Sequence, residues 1–197
     1  MKILKNKTHS FFALILLTFF SITSCSQNKK VELGQILNEC KKEPSIDCQK
    51  MFFENFPKNF ADFQKKYGYD DIKGEAQYYS NSEEHLSFFF NCSNSIKNDV
   101  FIEKLIGICK EGKWDADSVN SFQSKTRDYF FKNSTEFLSL LKDKQKNDIY
   151  GFWYFFSDGP QFNEKVSSDV LKLLKNEKVL KHIYLDVVKK VKIDNIH

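Results

Sequence analysis

Apolar residues recur at helical spacing in short blocks along almost the whole chain, and this periodicity most limits the folds open to it. The clearest block is Val119, Phe122, Thr126, Tyr129 and Phe130, at i, i+3, i+7, i+10 and i+11. Side chains so spaced share one face of an α-helix. Leu33, Ile36, Leu37 and Cys40 repeat the pattern over 32–42. Met51, Phe52 and Phe56 mark a short helix closed by Pro57. Asn59 is suited to cap a third, with Phe60, Phe63 and Tyr67 on one face and Gly68 as its stop. Asn81-Ser82-Glu83-Glu84 starts a helix running to about Cys92, with acids in the first turn where the helix dipole favours them. Further helices are predicted over 98–109, after Asn133-Ser134, and from Asp143 through Phe156. Two more fall in the Lys-rich C-terminal third, around Val170–Leu174 and Val179–Val191. Only 7 Gly and 3 Pro interrupt the chain. The reading is all-α: one compact domain of about eight to ten mostly short helices over 32–197. Tyr69 to Ser80 has no period and reads as a loop.

The first residues follow another logic. Lys2, Lys5 and Lys7 precede an apolar run from Phe11 to Phe20, about half of the ~20 residues a spanning helix needs. Ile22-Thr23-Ser24-Cys25 then follows. This order resembles the lipobox of bacterial lipoproteins. The resemblance implies removal of 1–24, lipid on the Cys25 thiol, a short tether over 25–31 and anchoring to a membrane. Ser26 follows Cys25 where an Asp would signal inner-membrane retention, so the outer membrane is expected.

Removing 1–24 from 197 residues leaves 173. Lys2, Lys5 and Lys7 leave with it and no acid does, so the formal balance falls from +4 to +1. The mature chain has no electrostatic case for binding nucleic acid. Arg127 is the only arginine, which also argues against phosphate reading.

With Cys25 lipidated, Cys40, Cys48, Cys92 and Cys109 remain. An oxidising compartment favours bridges. Cys40 ends one helical block and Cys48 opens the next across Pro44, so these two are expected to pair. Elimination leaves Cys92 and Cys109. If each ends a successive helix, they stand about 16 Å apart at 1.5 Å per residue, against the under ~7 Å a bridge tolerates. They pair only across crossed helices or an irregular segment, and otherwise are buried thiols. No spacing suits a metal, and no cofactor is expected.

Several strings could carry function. Lys113-Trp114-Asp115-Ala116-Asp117-Ser118 reads chiefly as a buried tryptophan at a helix start, with Asp115 or Asp117 capping it. The two acids could instead pair as acid and base. Glu83-Glu84-His85 reads as a charged first turn with a surface histidine. Asp70 and Asp71 lie among Tyr67, Tyr69, Tyr78 and Tyr79, a composition typical of recognition surfaces. Phe152-Trp153-Tyr154-Phe155-Phe156 is apolar all round and reads as a central helix. No G-x-S-x-G, P-loop, G-x-G-x-x-G or H-E-x-x-H occurs. The expectation is a lipid-anchored envelope binding protein without catalysis, of immunity or adaptor type, facing a protein partner. Its binding candidates are Asp70, Asp71, Tyr78, Tyr79, Trp114, Asp115 and Asp117. A structural or apolar-ligand carrier protein, and an envelope enzyme with an acidic site, are the alternatives.

Overall fold

Residues 32–194 are described by the computed structural model. The expected signal peptide over 1–24, the expected lipidation site at Cys25 and the expected tether through 31 lie outside the described residues. Among the described residues ten α-helices alternate with short turns, and the only sheet is a two-stranded hairpin. No helix there is long and apolar enough to cross a membrane.

Helices α1 (Leu33–Lys42) and α2 (Ile46–Asn55) pack as a pair. Pro44 lies in the break, and the Ser45 hydroxyl accepts the Cys48 N–H at 3.1 Å to cap α2. Cys40 and Cys48 face each other across this turn, Cα atoms 5.5 Å apart, and form the expected disulfide. The other end of α2 is closed from a distance. Lys104 donates its ammonium to the Phe53 and Phe56 carbonyls, which the helix leaves unpaired. Burial pushes that ammonium down to about 8.

Helix α3 (Phe60–Tyr67) is capped by Asn59, whose Oδ1 accepts the Asp62 N–H at 2.8 Å. The following segment corrects the loop reading. Strands β1 (Tyr69–Asp70) and β2 (Gly74–Glu75) pair antiparallel, Tyr69 opposite Glu75 and Asp70 opposite Gly74. Asp70 Oδ1 accepts the N–H groups of Ile72 (3.0 Å) and Lys73 (2.8 Å), which folds the chain back. Gly74 supplies φ +79°, a conformation glycine takes without a side-chain clash.

Helix α4 (Ser82–Asn91) runs into a 3-10 turn (Cys92–Asn94), and α5 (Asn98–Cys109) follows. Here the second bridge is not formed. Cys92 and Cys109 are both free and buried. Cys92 follows the end of α4 and Cys109 closes twelve-residue α5, so nearly the whole of α5 separates them along the chain. Cys92 Sγ instead donates to the Phe88 carbonyl at 3.2 Å, and burial raises both thiols well above their ordinary range.

The second half comprises α6 (Asp117–Lys132), α7 (Ser134–Lys142), α8 (Lys146–Ser157), α9 (Glu164–Leu173) and α10 (Lys178–Asp194). Asp143 ends α7 rather than opening α8. Helix α8 is central as expected, with Phe152, Trp153, Phe155 and Phe156 buried against α5, α6 and α10. Gly151 lets its backbone touch the end of α5, since an added Cβ would sit 1.7 Å from the Lys110 carbonyl oxygen. Its C-terminal carbonyls are satisfied from α6. Gln123 donates to the carbonyls of Phe155 and Asp158, and Arg127 to those of Phe156 (2.7 Å) and Asp158 (3.2 Å). The single arginine thus closes a helix end inside the fold.

Rings fill the interior. Phe56 stacks on Phe89 at 3.9 Å, and Phe89 on Phe101 at 5.0 Å. Around α8, Phe130 meets Trp153 edge-on at 5.4 Å and Trp153 meets Tyr184 at 5.1 Å. Such offset and edge contacts add to simple burial.

Candidate functional site

Two segments that look independent in the sequence meet on one face. They are the hairpin segment 69–80 and the α5–α6 connection 110–116 with the start of α6. Tyr79 donates its hydroxyl to the Asp117 carboxylate, which pushes the phenol up to about 12. Gln64 on α3 donates to Asp115 Oδ2 at 3.4 Å. Beneath them the buried Ser118 hydroxyl donates to the Tyr67 carbonyl at 2.6 Å. The Tyr69 and Tyr79 rings lie 5.8 Å apart.

The acids do not cap α6 as expected. The residue before the helix is Ala116, and no side chain bonds the first-turn N–H groups. Asp117 stands at φ +54°, which is uncommon for a residue bearing a Cβ and strains the backbone. Its carboxylate is taken by Tyr79 instead. Asp115 accepts only its neighbour's N–H, from Ala116 at 2.8 Å, besides Gln64. Trp114 is half-exposed rather than a buried anchor. Its backbone N–H donates to Asp158 Oδ2 at 2.8 Å and its indole N–H to Asn120 Oδ1 at 3.3 Å. The side chain is held at the surface by polar bonds.

Tyr78 is buried, which removes it from the expected surface. It forms an inner layer under the hairpin. Its hydroxyl donates to Glu32 Oε2 at 2.6 Å, and Gln77 donates to the same oxygen at 3.1 Å. Burial, then the Glu32 bond, raises the phenol. His85 belongs to this layer too and is 3% exposed, against the surface position expected. Its ring lies 4.7 Å from Tyr78 and 5.7 Å from Tyr67. The Tyr67 hydroxyl and His85 Nδ1 are 3.1 Å apart. Tyr67 is the donor, because the reverse direction leaves its own proton unpartnered in the core. That assignment places the imidazole proton on Nε2. Burial holds His85 neutral, with its pKa lowered to about 4.

The outer layer exposes apolar area beside carboxylates. Ile72 at the hairpin tip is 94% exposed and Tyr69 is 54% exposed. Asp70, Asp71 and Glu75 are exposed around them, with Lys73 the hairpin's only cation. The Ile72 and Lys73 N–H groups hold the Asp70 carboxyl below its usual range, Lys73 contributing most. Ile72 and Gln64 carry no sequence signal beyond an isolated apolar residue in a polar stretch and a polar residue on a short helix. The face offers large amphipathic side chains and an acidic rim. Among the described residues no group of three His, Cys, Asp or Glu could hold a metal ion. Comparison with protein-family models, with curated proteins and with solved structures yields no match.

Proposed function

We propose that the mature chain is a lipid-anchored envelope protein that binds a protein partner through the hairpin face, without catalysis, as an immunity-type or adaptor lipoprotein does. One observation carries this reading. Ile72 and Tyr69 stand exposed on a hairpin whose base is fixed by Tyr78 to Glu32 and by Tyr79 to Asp117. Exposed apolar area on a pre-ordered support is inexpensive to dock against, because little ordering remains to be done on binding. The carboxylates around it favour a partner surface carrying Lys or Arg.

The anchor follows from the lipobox at Ile22–Cys25. Glu32 lies seven residue steps along the chain from Cys25, which at about 3.3–3.6 Å each reach at most about 25 Å. Glu32 is the residue that Tyr78 and Gln77 grip. On this reading the binding face works close to the bilayer, beside the point where the fold joins its tether.

The test uses the full-length protein expressed in its native membrane. Intact mass of the processed chain reports whether the N-terminus is a diacylated Cys25. Partners crosslinked to the wild type are compared with those of Ile72→Asp and Tyr69→Ala. A protein captured stoichiometrically by the wild type and lost from both variants, at unchanged melting temperature, supports the reading. Equal capture by all three overturns it.

A further inference from the structure

A second face carries a different chemistry. An open groove of about 690 Å³ runs between the end of α4 with its 3-10 turn, the start of α5, and α6. This falls within the about 300–1,000 Å³ of small-molecule sites. Its lining includes four asparagines, Asn91, Asn94, Asn98 and Asn133, beside the rings of Phe90 and Tyr129. We propose that this groove binds a neutral polyhydroxylated ligand, a short stretch of glycan, independently of the hairpin face.

The first ground is the state of the amides. Asparagines gather at helix starts to cap them, yet none of these four bonds a helix-start N–H group. Asn133 precedes α7 without bonding its N–H groups, and Asn98 stands inside α5 behind an uncapped Lys97. Two of them build a fixed wall instead. Tyr129 donates its hydroxyl to Asn98 Oδ1 at 2.7 Å, Asn98 donates to Asn133 Oδ1 at 3.4 Å, and Asn133 donates to the Tyr129 carbonyl at 3.0 Å. Each of these amides retains a further N–H or lone pair. Asn91, the last residue of α4, and Asn94, in the 3-10 turn, also line the groove, are exposed and have no side-chain partner among the described residues. The groove therefore presents paired donors and acceptors, some already oriented.

The second ground is charge. Lys125 is occupied by Glu83 at 2.8 Å and by the Ser87 hydroxyl at 3.3 Å. Lys132 and Asp128 also line the groove and offset each other formally. A phosphate or carboxylate finds no net positive field there. A hydroxyl both donates and accepts, as an amide does, so a ligand dense in hydroxyls matches the wall without carrying charge.

The third ground is the apolar strip. Phe90 and Tyr129 are half-buried, with ring centroids 6.3 Å apart and planes tilted by 58°. A pyranose ring has a polar edge and a flat C–H face. The strip suits that face while the amides take the edge.

The test titrates the folded protein with four neutral probes, maltotriose, cellotriose, chitotriose and mannotriose, and follows side-chain amide resonances by NMR. At about 10 mM even a 1 mM site is nearly saturated. The expected result is a saturable shift of the Asn91, Asn94, Asn98 and Asn133 amides with at least one probe. The double variant Asn91→Ala/Asn94→Ala, altered only at exposed positions, should weaken that probe by about tenfold or more with unchanged melting temperature. Ile72→Asp on the hairpin should leave it unaltered, which separates this site from the other. No shift with any of the four probes overturns the inference, as does equal binding by the double variant. Tighter binding of inositol hexaphosphate at the same amides also overturns it, because the groove would then select charge.

Discussion

Lowering the pH should weaken the fold through His85, and the size of the effect follows from its surroundings. The imidazole is buried against Phe52, Tyr67 and Tyr78 and has a pKa of about 4, compared with 6.5 in an unfolded chain. As pH falls below about 6.5 the unfolded state takes up a proton that the folded state still refuses. Stability from this group is complete above about 6.5, declines between about 6.5 and 4, and is fully lost below about 4. At about 1.36 kcal/mol per pH unit the ceiling is about 3 kcal/mol. His85 lies one layer beneath solvent, near the charges of Glu84, Lys41 and Lys66. We therefore expect about 2 kcal/mol.

Urea titrations from about pH 7.5 to about pH 4, on the wild type and on His85→Gln, isolate this contribution. Glutamine keeps an acceptor for the Tyr67 hydroxyl and cannot gain a proton. Carboxylates that titrate in the same range affect both proteins and cancel. The wild type should lose about 2 kcal/mol more than the variant between those limits, with equal slopes against urea. Parallel stability curves would refute the argument, and so would an NMR titration placing His85 near 6.5.

Three further outcomes test the framework. Reducing the Cys40–Cys48 bridge, or replacing both residues by Ala, frees a loop of separation 8 and should cost about 2.5 kcal/mol by loop entropy, read by urea denaturation. Gly151→Ala gains about 1 kcal/mol in helix propensity but drives a methyl to 1.7 Å from the Lys110 carbonyl, which is backbone and yields little. The net should be a loss of about 2 kcal/mol, and a stabilised variant would show that α8 does not touch the end of α5. Lys104→Met leaves the Phe53 and Phe56 carbonyls without their donor and should cost about 1–3 kcal/mol, seen as a lower melting temperature.

The helices were largely legible because their signals are local. Val119, Phe122, Thr126 and Phe130 follow one period and all four are buried. Pro44, Gly68 and Pro160 lie where helices stop or have just stopped. The hairpin escaped because strands of two residues have no alternation to read, and its cause is one carboxylate, Asp70, folding back on Ile72 and Lys73. His85 escaped for a different reason. Its neighbours Glu83 and Glu84 are exposed, and charged neighbours suggest a surface, yet a helix turns by 100° per residue and carries the third side chain to the other side.

Of the candidate face, Asp70, Asp71, Tyr79, Asp115 and Asp117 could be named from sequence but their joining could not, because its members are bound across the chain rather than along it. Tyr79 and Asp117 are 38 residues apart, Gln64 and Asp115 are 51, and Tyr78 and Glu32 are 46. In sequence each is an ordinary polar residue with a local explanation ready to hand, and for Asp117 the local explanation, a helix cap, is wrong. The strained φ of Asp117 gives the physical reason. A residue holds such a conformation only where its surroundings over-determine it. Here the surroundings are Tyr79 and the Ser118 bond to the α3 end, which dock the hairpin onto the start of α6. The exposed Ile72 is therefore presented by polar anchors in three separate segments. Of the side chains in 69–80 only Tyr78 is buried, so loss of those polar bonds should release the tip before the helical core responds.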